Sequence, residues 1–250
     1  MTGVDAKSAL FLDFDGTLVD IVERPEAVSV EPGLVELLAS LQRQLGGALA
    51  IVSGRPLAQI DAFLAPLALP AAGVHGTERR RADGVLQHLP VDAIDDELAA
   101  PLQALADAHP GVLLERKTGS LALHYRLAPQ CEALCLAAAR RIVDTTPGLA
   151  LLHGKCVAEI KSALVGKGRA IDAFLAEPPF IGRHAVFAGD DTTDEAGFAA
   201  VQARGGIGIK VGEGPSLAQQ RLLSPAAMRD WLRELDRHLA SPSAKRPPAA

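Results

Sequence analysis

The stretch ALFLDFDGT, residues 9–17, decides the fold class of this chain. It begins with a short apolar run, which is typical of a strand buried on both faces of an α/β sheet. The run ends in Asp13 and Asp15, and two carboxylates one residue apart lie on the same face of a strand. Because open parallel sheets bind ligands at the carboxyl ends of their strands, the stretch predicts both a buried strand and a reactive site at its end.

The residues on either side of this strand alternate between helical and strand patterns. After Pro32 an apolar periodicity predicts a helix that stops at Gly46-Gly47, and residues 48–52 predict a second buried strand. This alternation favours a parallel sheet with right-handed crossovers. The same pattern returns near the end of the chain, with a helix at 167–175, a strand at 185–188, a helix at 194–204, a strand at 207–211 and a helix at 228–239.

The middle of the chain has a different pattern, which predicts an inserted α+β module. Its predicted order is helix 92–109, strands 112–115 and 120–127, helix 131–143, and strands 148–152 and 156–160. The predicted fold is therefore α/β, with a Rossmann-like parallel core and an inserted α+β cap. We assign residues 1–80 and 164–240 to the core, 81–163 to the cap and 241–250 to a disordered tail rich in Pro and Ala.

Composition excludes several classes of partner. The 250 residues are 48% hydrophobic and 22% charged, as in ordinary globular enzymes, and their net charge of -5 argues against nucleic acid or an anionic membrane. The N-terminal apolar run is too short for a signal peptide or a membrane span. Three cysteines without a C-x-x-C pair fit reduced thiols. We therefore expect a cytoplasmic protein.

Polar residues that could bind or react with a ligand follow the other predicted strands, and one such residue begins a helix. Ser53 ends the second strand, where its hydroxyl can bind a phosphoryl oxygen, and Lys167 opens a helix as a flexible point charge. The third buried strand ends in Asp190 and Asp191, with Asp194 close behind. Clustered carboxylates repel one another unless a cation lies among them, and hard oxygen ligands suit Mg²⁺. The pattern predicts a magnesium site beside a phosphate site.

In this order the four elements resemble the motifs of the haloacid dehalogenase (HAD) superfamily, whose core carries an inserted cap. The resemblance implies that Asp13 attacks phosphorus, that Asp15 acts as general acid and then as general base, and that Ser53 and Lys167 bind the phosphoryl group. It further implies that Asp13, the Asp15 carbonyl and Asp190 hold Mg²⁺, with Asp191 or Asp194 in support. A second acid serves an alkoxide leaving group, which favours an ester or anhydride substrate.

The inserted module resembles the C2-type cap of the trehalose-6-phosphate phosphatase family. The matching segments are Glu115-Arg116-Lys117, His124-Tyr125-Arg126 and the stretch GKCVAE at residues 154–159, together with Ser53-Gly54-Arg55 and His75-Gly76 in the core. The resemblance covers about residues 9 to 235 and implies a sugar phosphate as substrate. It implies that Glu115, Lys117 and Glu159 bind sugar hydroxyls, and that Arg55, Arg126 and Lys155 reach the sugar or the phosphate. Val74 departs from the family pattern, because an acid is expected before His75.

Two alternatives to this function stay open. One is another sugar phosphatase of the same architecture, acting on sucrose 6-phosphate or mannosyl-3-phosphoglycerate. The other is a non-catalytic regulatory domain, against which the intact motifs argue. The resemblance also implies a functional association with trehalose-6-phosphate synthase. Arg79, Arg80 and Arg81 have two candidate roles, attraction of the substrate and a solvated hinge, of which we expect the hinge. We expect His124 and His153 to be structural.

Overall fold

The computed structural model describes residues 3–22, 28–88, 96–117, 119–154, 156–163 and 165–241, without the side chain of Lys117. Its helices and strands, numbered in chain order, are β1 (Ser8–Leu12), α1 (Leu34–Gln44), β2 (Leu49–Val52), α2 (Leu57–Leu64), β3 (Ala71–Gly73), β4 (Glu78–Arg80), β5 (Leu86–His88), α3 (Asp96–Ala108), β6 (Leu113–Lys117), β7 (Ser120–His124), α4 (Glu132–Thr145), β8 (Leu149–Gly154), β9 (Val157–Ser162), α5 (Lys167–Leu175), β10 (His184–Gly189), α6 (Glu195–Gln202), β11 (Ile207–Val211), β12 (Gln220–Leu222) and α7 (Pro225–Ala240).

The chain divides into two compact units, one of residues 1–89 with 166–250 and one of residues 90–165. Residues 81–88, which the sequence assigned to the inserted module, lie in the larger unit because β5 pairs with β4. Predicted helix 92–109 begins outside the described residues, and the described helix α3 starts at Asp96. The tail from 242 onward also lies outside them. Within the described ranges, no helix combines the length and the apolar character that crossing a membrane requires.

The larger unit is built on an eight-stranded sheet in the order β12-β11-β10-β1-β2-β3-β4-β5. The strands from β12 to β3 are parallel, and β4 and β5 add an antiparallel edge. This is the predicted α/β architecture, a parallel sheet with a separate antiparallel one in the inserted unit. The short strands β3, β4, β5 and β12 were not predicted, because three-residue strands carry too little periodicity to be recognised.

Strand β1 lies at the centre of this sheet and is buried on both faces. Leu10 and Leu12 pack on one face against α1, α2 and α7, while Ala9 and Phe11 pack on the other against α5 and α6. All five residues of β1 are buried. The sheet is therefore covered by helices on both sides, and its strand ends are the part of it that is open to ligand.

The arginine run after β3 is ion-paired. Arg79 lies 2.8 Å from Glu177, and Arg80 lies 2.6 Å from Asp61, with only 11% and 14% of the two arginine side chains exposed. The expectation of a solvated segment is therefore wrong for Arg79 and Arg80. Single-sequence reasoning could not find these pairs, because Asp61 lies on α2 and Glu177 lies in the turn after α5, and only the packing of the unit brings them to the arginines.

The smaller unit contains a four-stranded antiparallel sheet in the order β6-β7-β9-β8, with α3 and α4 against one face. The helix-facing side chains include Leu121, Leu123 and Ile160, which are buried with residues of both helices. Cys131 and Cys135 are buried free thiols in this same core, as expected for apolar helix positions. The unit is the predicted α+β module, with its own hydrophobic core.

Candidate active site

Asp13 lies immediately after β1, at the open end of the sheet. Its backbone N–H donates to the Ala188 carbonyl of β10 at 2.9 Å, which continues the parallel ladder one residue beyond the strand. Only 4% of Asp13 is exposed. The hydroxyl of Thr17 is 3.5 Å from Asp13 Oδ2, at the limit of a hydrogen bond. The central strand thus places one carboxylate in a buried position beside the neighbouring strand end.

Lys167, at the first position of α5, forms ion pairs with two of the predicted acids. Its Nζ lies 2.8 Å from Asp13 Oδ1 and 2.6 Å from Asp194 Oδ1, and 3% of its side chain is exposed. Burial alone would lower the pKa of Lys167, but the Asp13 and Asp194 carboxylates outweigh it and raise that pKa above its usual value. The ammonium is therefore a permanent positive charge against Asp13.

Asp194 organises the loop that follows β10. Its Oδ2 accepts the backbone N–H groups of Asp190 and Asp191, both at 2.9 Å, while its Oδ1 accepts from Lys167. Asp191 caps the short 3₁₀ turn that precedes α6, where its Oδ1 accepts the Thr192 N–H at 2.7 Å. Of the three predicted acids, Asp191 and Asp194 use their carboxylates as acceptors within this loop, and the Asp190 carboxylate does not take part in these bonds.

The carboxylates of Asp13, Asp190 and Asp194 form a cluster whose chemistry fits a divalent cation. One oxygen from each lies within 4.8 Å of the others. Burial raises the pKa of Asp13 well above its usual range, and burial together with Asp194 raises the pKa of Asp190 to about 6. The cause of both shifts is that the acids are crowded and poorly solvated. An oxygen-ligated cation would relieve both effects, so the residues present could hold a metal.

Gly16 is required by the way this cluster packs. Its φ of +69° lies in the left-handed region, and a Cβ at this position would be 2.2 Å from Asp190 Oδ2. Any side chain here would push the Asp190 carboxylate out of the cluster. The glycine after the two aspartates therefore serves a close approach as well as a turn.

Ser53 and Arg55 come from the end of β2, as predicted. The Ser53 side chain is buried and accepts the Arg55 N–H at 3.2 Å. The Arg55 guanidinium donates to both carboxylate oxygens of Asp15, at 2.6 and 2.7 Å, and lies 5.0 Å from the centre of the Phe63 ring. The sequence assigned Arg55 to substrate, which stays a prediction; the contact with Asp15 was not foreseen.

Val74 and His75 adopt strained backbone conformations beside this loop. Both have positive φ, at 47° and 55°, although neither is glycine. Their N–H groups donate to the carbonyls of Arg55 and Ser53, each at 3.0 Å, and a Cβ on Gly54 would be 2.8 Å from the His75 ring. Such strain persists only where the surroundings impose it, and it is common at functional sites.

These side chains open into one cavity of about 600 Å³ within the larger unit. Its lining includes the six residues Asp13, Asp15, Ser53, Arg55, Lys167 and Asp190. The structure thus brings these six predicted residues together; Asp191 also lines the cavity, whereas Asp194 is buried and pairs with Lys167. The space suits a small phosphorylated molecule, with charged groups concentrated at the strand ends.

The predicted cap residues lie in the smaller unit. Glu115 and Glu159 both stand in register with Ala122, so their side chains share the sheet face opposite the helices, two strands apart. The His124 imidazole lies 2.8 Å from the Glu115 carboxylate. Arg126 is exposed in the turn after β7. Lys155 and the side chain of Lys117 lie outside the described residues.

Lys210 is a buried charged residue near the cluster that the sequence analysis did not select. It lies on β11, in register with Gly189 of β10, and 5% of it is exposed. The available signal was a lysine within the otherwise apolar strand 207–211, at the same sheet edge as the acids.

Comparison with known proteins identifies the family. A family model described as trehalose-phosphatase matches residues 11–226. Over 231 residues the chain is 45% identical to trehalose-6-phosphate phosphatase of Escherichia coli (strain K12), covering 92% of this chain and 86% of that one. The structure of trehalose-6-phosphate phosphatase from Aspergillus fumigatus, 25% identical, superposes with a TM-score of 0.73 and covers 93% of each chain.

The fold is found more widely. A haloacid dehalogenase-like hydrolase from B. subtilis, 14% identical, superposes with a TM-score of 0.65 over 91% of this chain and 99% of that one. At that identity the likeness concerns the fold alone, and it confirms the predicted HAD architecture. Because the family model matches residues 11–226 and the Escherichia coli relative is 45% identical over 92% of this chain, the chain belongs to the trehalose-phosphatase family.

Proposed function

We propose that this protein hydrolyses trehalose 6-phosphate to trehalose and phosphate, with Mg²⁺ as cofactor. One observation carries the proposal: Asp13, buried at the end of the central strand, is paired with Lys167 at 2.8 Å inside the Asp13–Asp190–Asp194 cluster. A carboxylate nucleophile, a fixed cation and a candidate metal site at one point are what phosphoryl transfer requires. The choice of trehalose 6-phosphate as the sugar phosphate follows from the names of the related proteins.

In the first half-reaction, one carboxylate oxygen of Asp13 attacks phosphorus, opposite the bridging oxygen of the sugar. The bond between phosphorus and that oxygen breaks, and an aspartyl-phosphate forms on Asp13. Asp15 donates a proton to the departing sugar oxygen, which leaves as a neutral hydroxyl. This transfer matters because an alkoxide is a poor leaving group at neutral pH.

In the second half-reaction, Asp15 takes a proton from water while the water oxygen attacks phosphorus. The acyl phosphate bond breaks, Asp13 returns as a carboxylate and inorganic phosphate is released. Dividing the hydrolysis in this way replaces one difficult step by two easier ones. Asp15 ends as it began, so the cycle closes without another proton donor.

Lys167 and Ser53 would stabilise the negative charge on the transferred phosphoryl group. The Lys167 ammonium is held by Asp13 and Asp194 and needs no rearrangement to face the reacting centre. Mg²⁺, held by Asp13, the Asp15 carbonyl and Asp190 with Asp194 and Asp191 in support, would supply further charge neutralisation to the phosphoryl oxygens. Arg55 would hold the Asp15 carboxylate in place as the base of the second half-reaction, and one of its two hydrogen bonds would open when Asp15 carries the proton for the leaving oxygen.

The smaller unit would provide sugar recognition. Glu115 and Glu159 project from the same sheet face on either side of Ala122, roughly 10 Å apart from strand spacing. Carboxylates at that separation can accept hydrogen bonds from different hydroxyls of one sugar. Lys117, Lys155 and Arg126 would add donors to the sugar or phosphate, and a wrong sugar would leave some of these groups unpaired.

Phosphate release from a panel of substrates tests this function against its alternatives. The panel contains trehalose 6-phosphate, sucrose 6-phosphate, glucose 6-phosphate, mannosyl-3-phosphoglycerate and p-nitrophenyl phosphate, each with and without Mg²⁺. We expect the highest kcat/KM with trehalose 6-phosphate and no turnover without the metal. A higher value with another sugar phosphate would reassign the substrate, and no turnover of any of them would favour a regulatory domain.

The protein would act in the cytoplasm, whose reducing conditions keep thiols such as its three free cysteines reduced. A functional association with trehalose-6-phosphate synthase would place the phosphatase where its substrate is made. Affinity purification of the tagged protein from its own cells, followed by detection of synthase activity in the eluate, tests that association. Synthase activity no greater than in a mock purification would contradict it.

A further inference from the structure

Lys210 lies within the hydrophobic sheet, although it carries a full positive charge. Its neighbours along β11, Ile209 and Val211, are each 1% exposed, and Lys210 itself is 5% exposed. Burying an ammonium is costly unless its charge and its N–H groups are satisfied. An apolar side chain of similar length would pack at this position at lower cost, so the lysine needs a reason beyond packing.

The ammonium of Lys210 is satisfied by backbone carbonyls. Its Nζ donates to the carbonyl of Asp190 and, at 2.8 Å, to the carbonyl of Val211. Across the described ranges, no carboxylate forms an ion pair with it. Lys210 therefore links β11 to the first residue of the loop that follows β10.

The residue held in this way, Asp190, belongs to the carboxylate cluster of Asp13, Asp190 and Asp194. The Asp190 N–H is held by Asp194, and its carboxylate lies against Gly16. With the carbonyl bound by Lys210, both backbone polar groups of Asp190 have fixed partners. The backbone of Asp190, and with it the direction of its Cα–Cβ bond, is thereby held before any ligand arrives.

We propose that Lys210 is a positioning residue for the metal site, acting through the Asp190 carbonyl. The inference rests on the proposed function in one respect, namely that Asp190 is a ligand of Mg²⁺. A rival role can be distinguished by sign. If Lys210 served only as a counter-charge to the acids, its removal would strengthen cation binding; if it positions Asp190, its removal weakens cation binding.

The test is Mg²⁺ binding to Lys210→Met in the absence of any sugar phosphate. The readout is the Mg²⁺ concentration at the midpoint of the metal-dependent rise in Tm, supported by isothermal titration calorimetry. We expect Mg²⁺ to bind about 10- to 100-fold more weakly than to the unaltered protein, the range typical when a partner of a metal ligand is lost. Unchanged or tighter binding would overturn the proposal.

Conservative variants separate positioning from charge and from folding. Lys210→Arg keeps a cationic donor, and we expect its Mg²⁺ affinity to be close to that of the unaltered protein. Lys210→Gln loses the charge, and we expect it to bind Mg²⁺ as weakly as Lys210→Met does. Tighter Mg²⁺ binding by Lys210→Gln would contradict the proposal even if Lys210→Met failed to fold. Lys7→Met removes an exposed lysine from the same unit and should bind Mg²⁺ normally.

These measurements also distinguish the two assignments. The Mg²⁺ titration does not depend on which sugar phosphate is the substrate. If the unaltered protein binds Mg²⁺ and yet shows no turnover of trehalose 6-phosphate, that result would remove the substrate assignment. Weaker Mg²⁺ binding by Lys210→Met would still support the role of Lys210.

Discussion

The guanidinium of Arg55 binds both carboxylate oxygens of Asp15, with Nε 2.6 Å from Oδ2 and Nη2 2.7 Å from Oδ1. The arginine is itself placed by the faces of Phe14 and Phe63, whose ring centres lie 5.9 and 5.0 Å from the guanidinium carbon. A bidentate pair of this kind fixes the plane of the carboxylate as well as its position. The carboxylate proposed to carry protons is therefore oriented before substrate binds.

We predict that Arg55→Lys slows hydrolysis of trehalose 6-phosphate more than hydrolysis of p-nitrophenyl phosphate. A lysine cannot reproduce the bidentate pair, so Asp15 loses its fixed orientation. A sugar alkoxide needs the proton from Asp15, whereas p-nitrophenolate leaves without one. We expect at least a roughly ten-fold larger loss of kcat with the sugar phosphate. Equal losses on both substrates would contradict the role, and Arg43→Lys, at an exposed position, is the control.

Asp13→Asn should abolish phosphate release while the fold stays intact. The amide is a far weaker nucleophile than the carboxylate, so we expect turnover to fall by at least about a thousand-fold, as when other covalent enzymes lose their nucleophile. Release of phosphate and the circular dichroism spectrum are measured together. Asp230→Asn, whose carboxylate is 72% exposed, should behave like the unaltered protein. Appreciable turnover by Asp13→Asn would remove the covalent mechanism.

Gly16→Ala should weaken metal binding because the added Cβ would occupy the place of the Asp190 carboxylate. Gly84→Ala is a matched control: Gly84 also has positive φ, at +83°, but a Cβ there meets nothing within 4 Å. In both variants the alanine at positive φ lowers the folding stability, by about 1 kcal/mol. Only Gly16→Ala should raise the Mg²⁺ concentration needed for activity. Similar Mg²⁺ dependence in the two variants would show that the close approach is unimportant.

Glu115→Gln and Glu159→Gln should reduce kcat/KM for trehalose 6-phosphate with little effect on p-nitrophenyl phosphate. Each substitution removes a charged acceptor proposed for a sugar hydroxyl, and we expect a loss of at least about ten-fold. Lys117→Met should follow the same pattern. Glu97→Gln, at an exposed position on α3, controls for charge in the same unit. Parallel losses on both substrates would remove these residues from sugar recognition.

Mg²⁺ should stabilise the protein more at about pH 7.5 than at about pH 5. Burial and Asp194 raise the pKa of Asp190 to about 6, above the 3.8 expected of an unfolded aspartate. The folded chain therefore holds this proton more tightly, and its stabilising effect, complete below about pH 4, is lost as pH rises through about 6. Protons also compete with the cation for the same carboxylate. Thermal unfolding with and without Mg²⁺ checks this, and a metal-dependent Tm shift as large at pH 5 would contradict it.

The core motifs could be predicted because their positions follow from local pattern. A buried run ending in Asp13 and Asp15, and another ending in Asp190, specify parallel strands whose ends lie at one sheet edge. Ser53 follows from the same reasoning. Residues whose role depends on a distant partner could not be found in this way. Arg79 and Arg80 are the clearest cases, since their partners Glu177 and Asp61 lie in other parts of the chain.

The sequence by itself determined the α/β core with its inserted α+β unit, the acids and serine at the strand ends, and the lysine at the start of a helix. Hydrophobic periodicity and the direction of parallel strands suffice for that much, since both act over a few residues. Only the tertiary structure decided that Arg55 binds Asp15, that Gly16 admits the Asp190 carboxylate and that Lys210 binds the Asp190 carbonyl. Those contacts join segments far apart in sequence, and packing of the whole sheet is what brings them within hydrogen-bonding distance.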